Sequence, residues 1–114
     1  MIQLSSALKA WGTPGFSDVL KRSIEQLDVN SLPLQQCLTR SDFTTGANRR
    51  VEVLDVSDDA GVIHAKTGIF YSGVIANTHC EDNPGPNEEV GEYCEMEFDI
   101  DKRTADTRVR ILNA

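Results

Sequence analysis

The sequence predicts an α+β domain in which two or three N-terminal helices pack on a four-stranded antiparallel sheet, joined as a meander. Two patterns lead there. Apolar residues of the first third recur at helical spacing, whereas those of the last third alternate with polar residues at the period of a strand. Between the two regimes lies a polar stretch, residues 41–50, which reads as a joint rather than a domain boundary. Residues 1–114 therefore form one domain, long enough to bury a core without staples.

Ile2, Leu4, Ala7, Leu8 and Trp11 share one side of a first helix, stopped by Gly12, Thr13, Pro14 and Gly15. Ser17 is placed to cap a second helix, with Asp18 at the positive end of its dipole and Leu20, Ile24 and Leu27 as its apolar stripe. Ser31 and Pro33 mark the start of a third, short helix that turns Leu34, Cys37 and Leu38 inward. The first strand covers residues 51–56, and residues 57–61 form the turn that follows. Residues 62–76 make the next strand, whose apolar centre around Ile69, Phe70 and Tyr71 predicts cover on both faces. Cys94, Met96, Phe98 and Ile100 then alternate strictly with Tyr93, Glu95, Glu97 and Asp99, giving one buried and one acidic face. A last strand, residues 107–112, sets Arg108 and Arg110 opposite those acids.

Composition narrows the function. The formal charge is −7, and Arg49, Arg50, Arg108 and Arg110 are too sparse to form the basic stripe that nucleic acid requires. No apolar span reaches bilayer length, so no membrane partner is expected. The N-terminus lacks the features of a secretory signal, which favours a cytoplasmic location with reduced thiols.

The most informative segment is the acidic, Pro- and Gly-rich loop 81–92, bracketed by Cys80 and Cys94. His79, Glu81, Asp82, Glu88, Glu89, Glu92 and Tyr93 are its candidate contacts with a protein partner or a small cationic ligand, which negative potential would steer toward it. Cys80 and Cys94 are expected to face each other across neighbouring strands. With His79 they form the alternative, a zinc site, although no Cys-x-x-Cys pair accompanies them. Thiol catalysis is disfavoured at Cys80, because Glu81 and Asp82 oppose the thiolate. Glu95 and Glu97 sit about 7 Å apart along a strand, a spacing open to paired-carboxylate hydrolysis, while a solvated ion-pair ladder with Arg108 and Arg110 is the simpler reading. Residues 44–50 hold the ingredients of an anion site without its motif.

The run Gly68-Ile69-Phe70-Tyr71-Ser72-Gly73-Val74-Ile75-Ala76, the loop from His79 to Cys94 and the strand start Tyr93-Cys94-Glu95 together resemble a group of short bacterial proteins with no assigned activity. That resemblance covers the C-terminal half and implies a stand-alone bacterial domain. The expectation is thus a binding module that needs no cofactor and is not an enzyme, with the zinc site as alternative and a small hydrolase behind both. Self-association through an edge strand is compatible with the sequence.

Overall fold

The computed structural model describes residues 2–39, 41–44, 48–75 and 88–112. Its elements run β1 (Ile2–Gln3), α1 (Ser5–Ala10), α2 (Phe16–Glu25), two 3-10 turns (Val29–Ser31 and Leu34–Cys37), β2 (Phe43–Thr44), β3 (Arg50–Asp59), β4 (Val62–Ile75), β5 (Glu88–Asp101) and β6 (Asp106–Ile111). All six strands join one antiparallel sheet that curls into a half-barrel, and strand accounts for about half of the described residues. This overturns the α+β expectation of two or three helices on a four-stranded sheet: among the described residues there are six strands and two helices, the first only six residues long.

The corrections have local causes. Ile2 and Gln3, expected to open a helix, instead pair with Thr107 and Asp106, and the Leu4 N–H continues the ladder to the Ala105 carbonyl at 3.1 Å. Over so few residues helical and strand spacings coincide, so the sequence pattern cannot separate them. The second helix starts at Phe16 behind Gly15, which has no side chain with which to cap it, and Ser17 lies inside the first turn. The third helix does not form. Asp28 takes the Asn30 N–H onto its own carboxylate at 2.9 Å and Pro33 supplies no donor, so only 3-10 turns close there. Within the polar joint, Phe43 and Thr44 pair with Val74 and Gly73 as β2.

β4 is the centre of the sheet. Along one side it pairs with β5 over its whole length, and along the other with β3 from Val62 to Phe70 and with β2 beyond. The β3–β4 turn is the two-residue Ala60-Gly61 pair, both at positive φ (32° and 89°), the twist that suits a tight hairpin. A bulge at Leu54 shifts the parity of β3, so that Val51, Val53 and Val56 all turn inward although their spacing is uneven. β5 and β6 continue the sheet, in the order β1-β6-β5-β4-β2 with β3 beside β4.

One face of the sheet carries the core. Ile63, Ala65, Ile69 and Tyr71 of β4 and Cys94, Met96, Phe98 and Ile100 of β5 are buried against Leu4, Ala7, Phe16, Leu20, Ile24, Leu32 and Leu34. Each large aliphatic side chain so enclosed contributes roughly 1.5–3 kcal/mol. Arg49 ties α2 to this layer by donating to the Glu25 carbonyl at 3.0 Å, and Glu25 returns the contact by accepting the Val51 N–H. Among the described residues, no second layer covers the opposite face. Burial alternates along β4, against the expectation of cover on both faces; only Gly68 is buried on the outer side, because the Tyr93 ring lies over it.

Candidate functional site

The outer face takes its residues from strand parity. Looking away from the core are His64, Lys66, Gly68 and Phe70 on β4, Glu89, Tyr93, Glu95, Glu97 and Asp99 on β5, and Arg108 and Arg110 on β6. β3 adds Arg50, Glu52, Asp55 and Asp59, which stand opposite Phe70, Gly68, Lys66 and Val62.

At one end of this face lies an aromatic pair. Phe70 and Tyr93 pack with ring centroids 4.7 Å apart, and the Arg50 guanidinium sits 4.9 Å from the Phe70 centroid. The Tyr93 hydroxyl donates to Glu95 at 2.9 Å; partial desolvation, reinforced by that bond, raises the phenol pKa above its usual value. A cleft of about 430 Å³ opens beside the pair, lined among others by Thr39, Asn48, Tyr71 and Glu92.

At the other end three carboxylates converge on one imidazole. His64 Nδ1 is 2.7 Å from Asp99 Oδ1 and 3.5 Å from Glu97 Oε2, while His64 Nε2 is 3.2 Å from Asp59 Oδ1. Hydrogen bonds to Asp99 first, and to Asp59 next, hold the His64 pKa above its ordinary 6.5. Arg110 binds Glu97 and reaches Asp99 Oδ2 at 3.3 Å. Partial burial pushes the Asp99 carboxyl upward, but its contacts with Glu97, His64 and Arg110 outweigh this and hold it below the usual carboxylate value. A cleft of about 340 Å³ adjoins, lined by Val62, His64, Asp99, Asp101, Asp106 and Arg108.

The sequence-derived candidates divide. His79, Cys80, Glu81 and Asp82 lie outside the described residues. Glu88 opens β5, and Glu89 beside it is exposed. Glu92, expected on the acidic surface, is instead buried at 5% exposure. Its carboxylate accepts the Thr39 N–H and hydroxyl at 3.1 and 2.9 Å and the Ser41 N–H and hydroxyl at 2.9 and 2.7 Å, fastening Thr39 and Ser41 to the sheet. Cys94 is fully buried and bonded to Cys37, 57 residues away, so the expected facing pair of Cys80 and Cys94 gives way to a different partner. A sulfur so engaged is not a zinc ligand, which removes Cys94 from the His79, Cys80, Cys94 set. The expectation of reduced thiols fails for these two cysteines as well.

Other motifs are absorbed by the fold. Arg49 turns to a helix end and Arg50 to an aromatic face, so both guanidiniums of the anion-site expectation are engaged elsewhere, while residues 45–47 lie outside the described residues. Glu95 and Glu97 are held by Tyr93 and Arg110, and neither lines the clefts beside the aromatic pair and the imidazole. Sequence reasoning set Glu97 and Asp99 opposite arginines but did not join them to His64. The missing signal was the β4–β5 register, which sets His64 beside Asp99; twelve residues separate those strands in the sequence, too many for local turn chemistry to fix the pairing.

No family model, curated protein or solved structure matches the chain. Among the described residues no helix is long and apolar enough to cross a membrane.

Proposed function

We propose that the chain is a non-enzymatic binding module, which receives a positively charged protein segment or small cationic ligand on the outer face of its sheet and on the acidic loop 81–92, whose sequence runs into β5. The observation that supports this most directly is the line of Glu89, Glu95, Glu97 and Asp99 along one side of β5, pointing away from the core. Asp59, Asp55 and Glu52 border the same face from β3. The formal charge of −7 extends the field into solution, where it speeds encounter with cations and repels phosphate backbones. Tyr93 and Phe70 add a flat apolar platform, a surface suited to the stem of a lysine or arginine.

The test uses a synthetic lysine-rich peptide with chelator present, followed by calorimetry at low and high salt. Affinity is expected to fall roughly tenfold as the Debye length shrinks from about 30 Å at 0.01 M salt to about 10 Å at 0.1 M. It is also expected to fall in the double variant Glu88→Gln, Glu89→Gln. Binding indifferent to both treatments, or absent, removes the proposal.

A further inference from the structure

We propose that His64, Glu97 and Asp99 form a binding site for a divalent transition metal, with zinc the best fit, and that Asp59 orients the imidazole for it. The inference rests on the cation-binding reading above and names the cation at one end of that face.

The donor set is one borderline nitrogen and two carboxylates, ligand types that zinc accepts, with remaining positions left to water. Ligand atoms on the three residues all lie within 4.8 Å of one another. Bonds of roughly 2.1 Å in a tetrahedron separate ligand atoms by about 3.4 Å. The His64 Nδ1 to Glu97 Oε2 distance, 3.5 Å, already has that value, and the Nδ1 to Asp99 Oδ1 distance of 2.7 Å must only widen.

A second feature points independently to a metal. Asp59 lies at Nε2, on the far side of the ring from Glu97 and Asp99. A carboxylate there accepts the Nε2 proton, and the neutral ring then presents its Nδ1 lone pair toward the two acids, an arrangement that fixes metal-binding histidines in place. Without metal, Nδ1 must carry a proton to satisfy Asp99. Binding releases that proton to solvent, and the metal takes its place. The cleft of about 340 Å³ beside His64 and Asp99 gives the ion a path in and room for bound water, with Asp101 and Asp106 lining the approach.

Arg110 is the competitor. It neutralises Glu97 and Asp99, but its side chain is 56% exposed and can swing into water, where a surface ion pair is worth little. The guanidinium and the metal therefore exchange at one pair of acids, and removing Arg110 should strengthen metal binding.

Zinc titration of chelator-treated, unreduced protein by calorimetry tests this, with cobalt absorption to report coordination geometry. Expected are one saturable site, a loss of at least about tenfold in Kd for His64→Ala and Asp99→Asn, a loss of about tenfold or more for Asp59→Asn, and a gain for Arg110→Gln. His79→Ala should bind as the unaltered chain does. These positions are on the sheet surface, so circular dichroism will show the variants folded. Absence of saturable uptake, or unaltered uptake by His64→Ala, overturns the site. Because the peptide assay runs in chelator, peptide binding without zinc uptake rejects the metal site alone, and zinc uptake without peptide binding rejects the wider reading alone.

Discussion

Glu92 is the residue on which the local structure of one end of the sheet turns. A buried carboxylate costs several kcal/mol of lost hydration, which is offset only when its oxygens are fully engaged. Here two backbone N–H groups and two hydroxyls do so. Truncation in Glu92→Ala leaves those donors facing a hole, and a loss of at least about 3 kcal/mol is expected in urea unfolding. Its charge also acts on Tyr71, whose hydroxyl donates to the Leu34 carbonyl at 2.9 Å. Burial, with the Glu92 charge added, pushes the Tyr71 pKa from 10.0 up to about 12. The folded value lies above the unfolded one, so the stability this group contributes is complete below pH 10 and is lost as pH rises through about 12. Phenolate absorbance should show one tyrosine titrating late, and Glu92→Gln should bring it earlier. The sequence marked Glu92 as part of an acidic loop; its burial depended on the placement of Thr39 and Ser41, which lie 53 and 51 positions away.

Two glycines of β4 show how elements are held in register. A Cβ on Gly73 would meet Ser41 Oγ at 2.0 Å and Ser41 Cβ at 2.4 Å, atoms that cannot retreat without moving the backbone bound to Glu92. On Gly68 it would meet the far end of Tyr93, with the hydroxyl at 2.5 Å and Cε1 at 2.9 Å, and that ring can swing aside. Gly73→Ala should therefore destabilise by about 2–3 kcal/mol, and Gly68→Ala by clearly less while it lowers affinity for the lysine-rich peptide. Thermal unfolding of the two variants side by side checks the ranking. The second 3-10 turn is pinned by the Cys37–Cys94 bond, which closes a loop of 57 residues. In the chain-entropy description such a closure stabilises by about 4 kcal/mol. Reductant, or the pair Cys37→Ala and Cys94→Ala, should lower the urea midpoint accordingly; an unchanged midpoint on reduction would show that the bond adds nothing. No spacing rule pointed to Cys37 as the partner, since pairings among three cysteines are not readable from sequence.

For the whole molecule, the surplus of acids is a cost that added salt can relieve. Glu95, Glu97 and Asp99 follow one another on β5, and their repulsion is only partly cancelled by Lys66 and the two arginines of β6. Screening should consequently stabilise the free protein, and a higher urea midpoint in 0.5 M than in 0.01 M sodium chloride is expected, the Debye length falling from about 30 Å to under 10 Å. A lower midpoint would mean that the ion pairs of His64, Arg110 and Lys102 outweigh the repulsion. The outer edge of β3 is shielded by the same acids: Glu52, Asp55, Asp58 and Asp59, with the Leu54 bulge, discourage edge-to-edge pairing with another chain.

By itself the sequence determined the alternation of β5 and the pairing of Glu97 and Asp99 with arginines, and it placed a turn within residues 57–61 that the structure narrows to Ala60-Gly61 as β3 runs on to Asp59, because each follows from period or local turn chemistry within a few residues. Only the tertiary structure decided that residues 2–3 are strand, that the third helix is absent, that Cys94 joins Cys37, and that His64 meets Asp59, Glu97 and Asp99. Those outcomes depend on register and on contacts between distant segments, where short apolar runs satisfy either period and the free energy of long-range packing makes the choice.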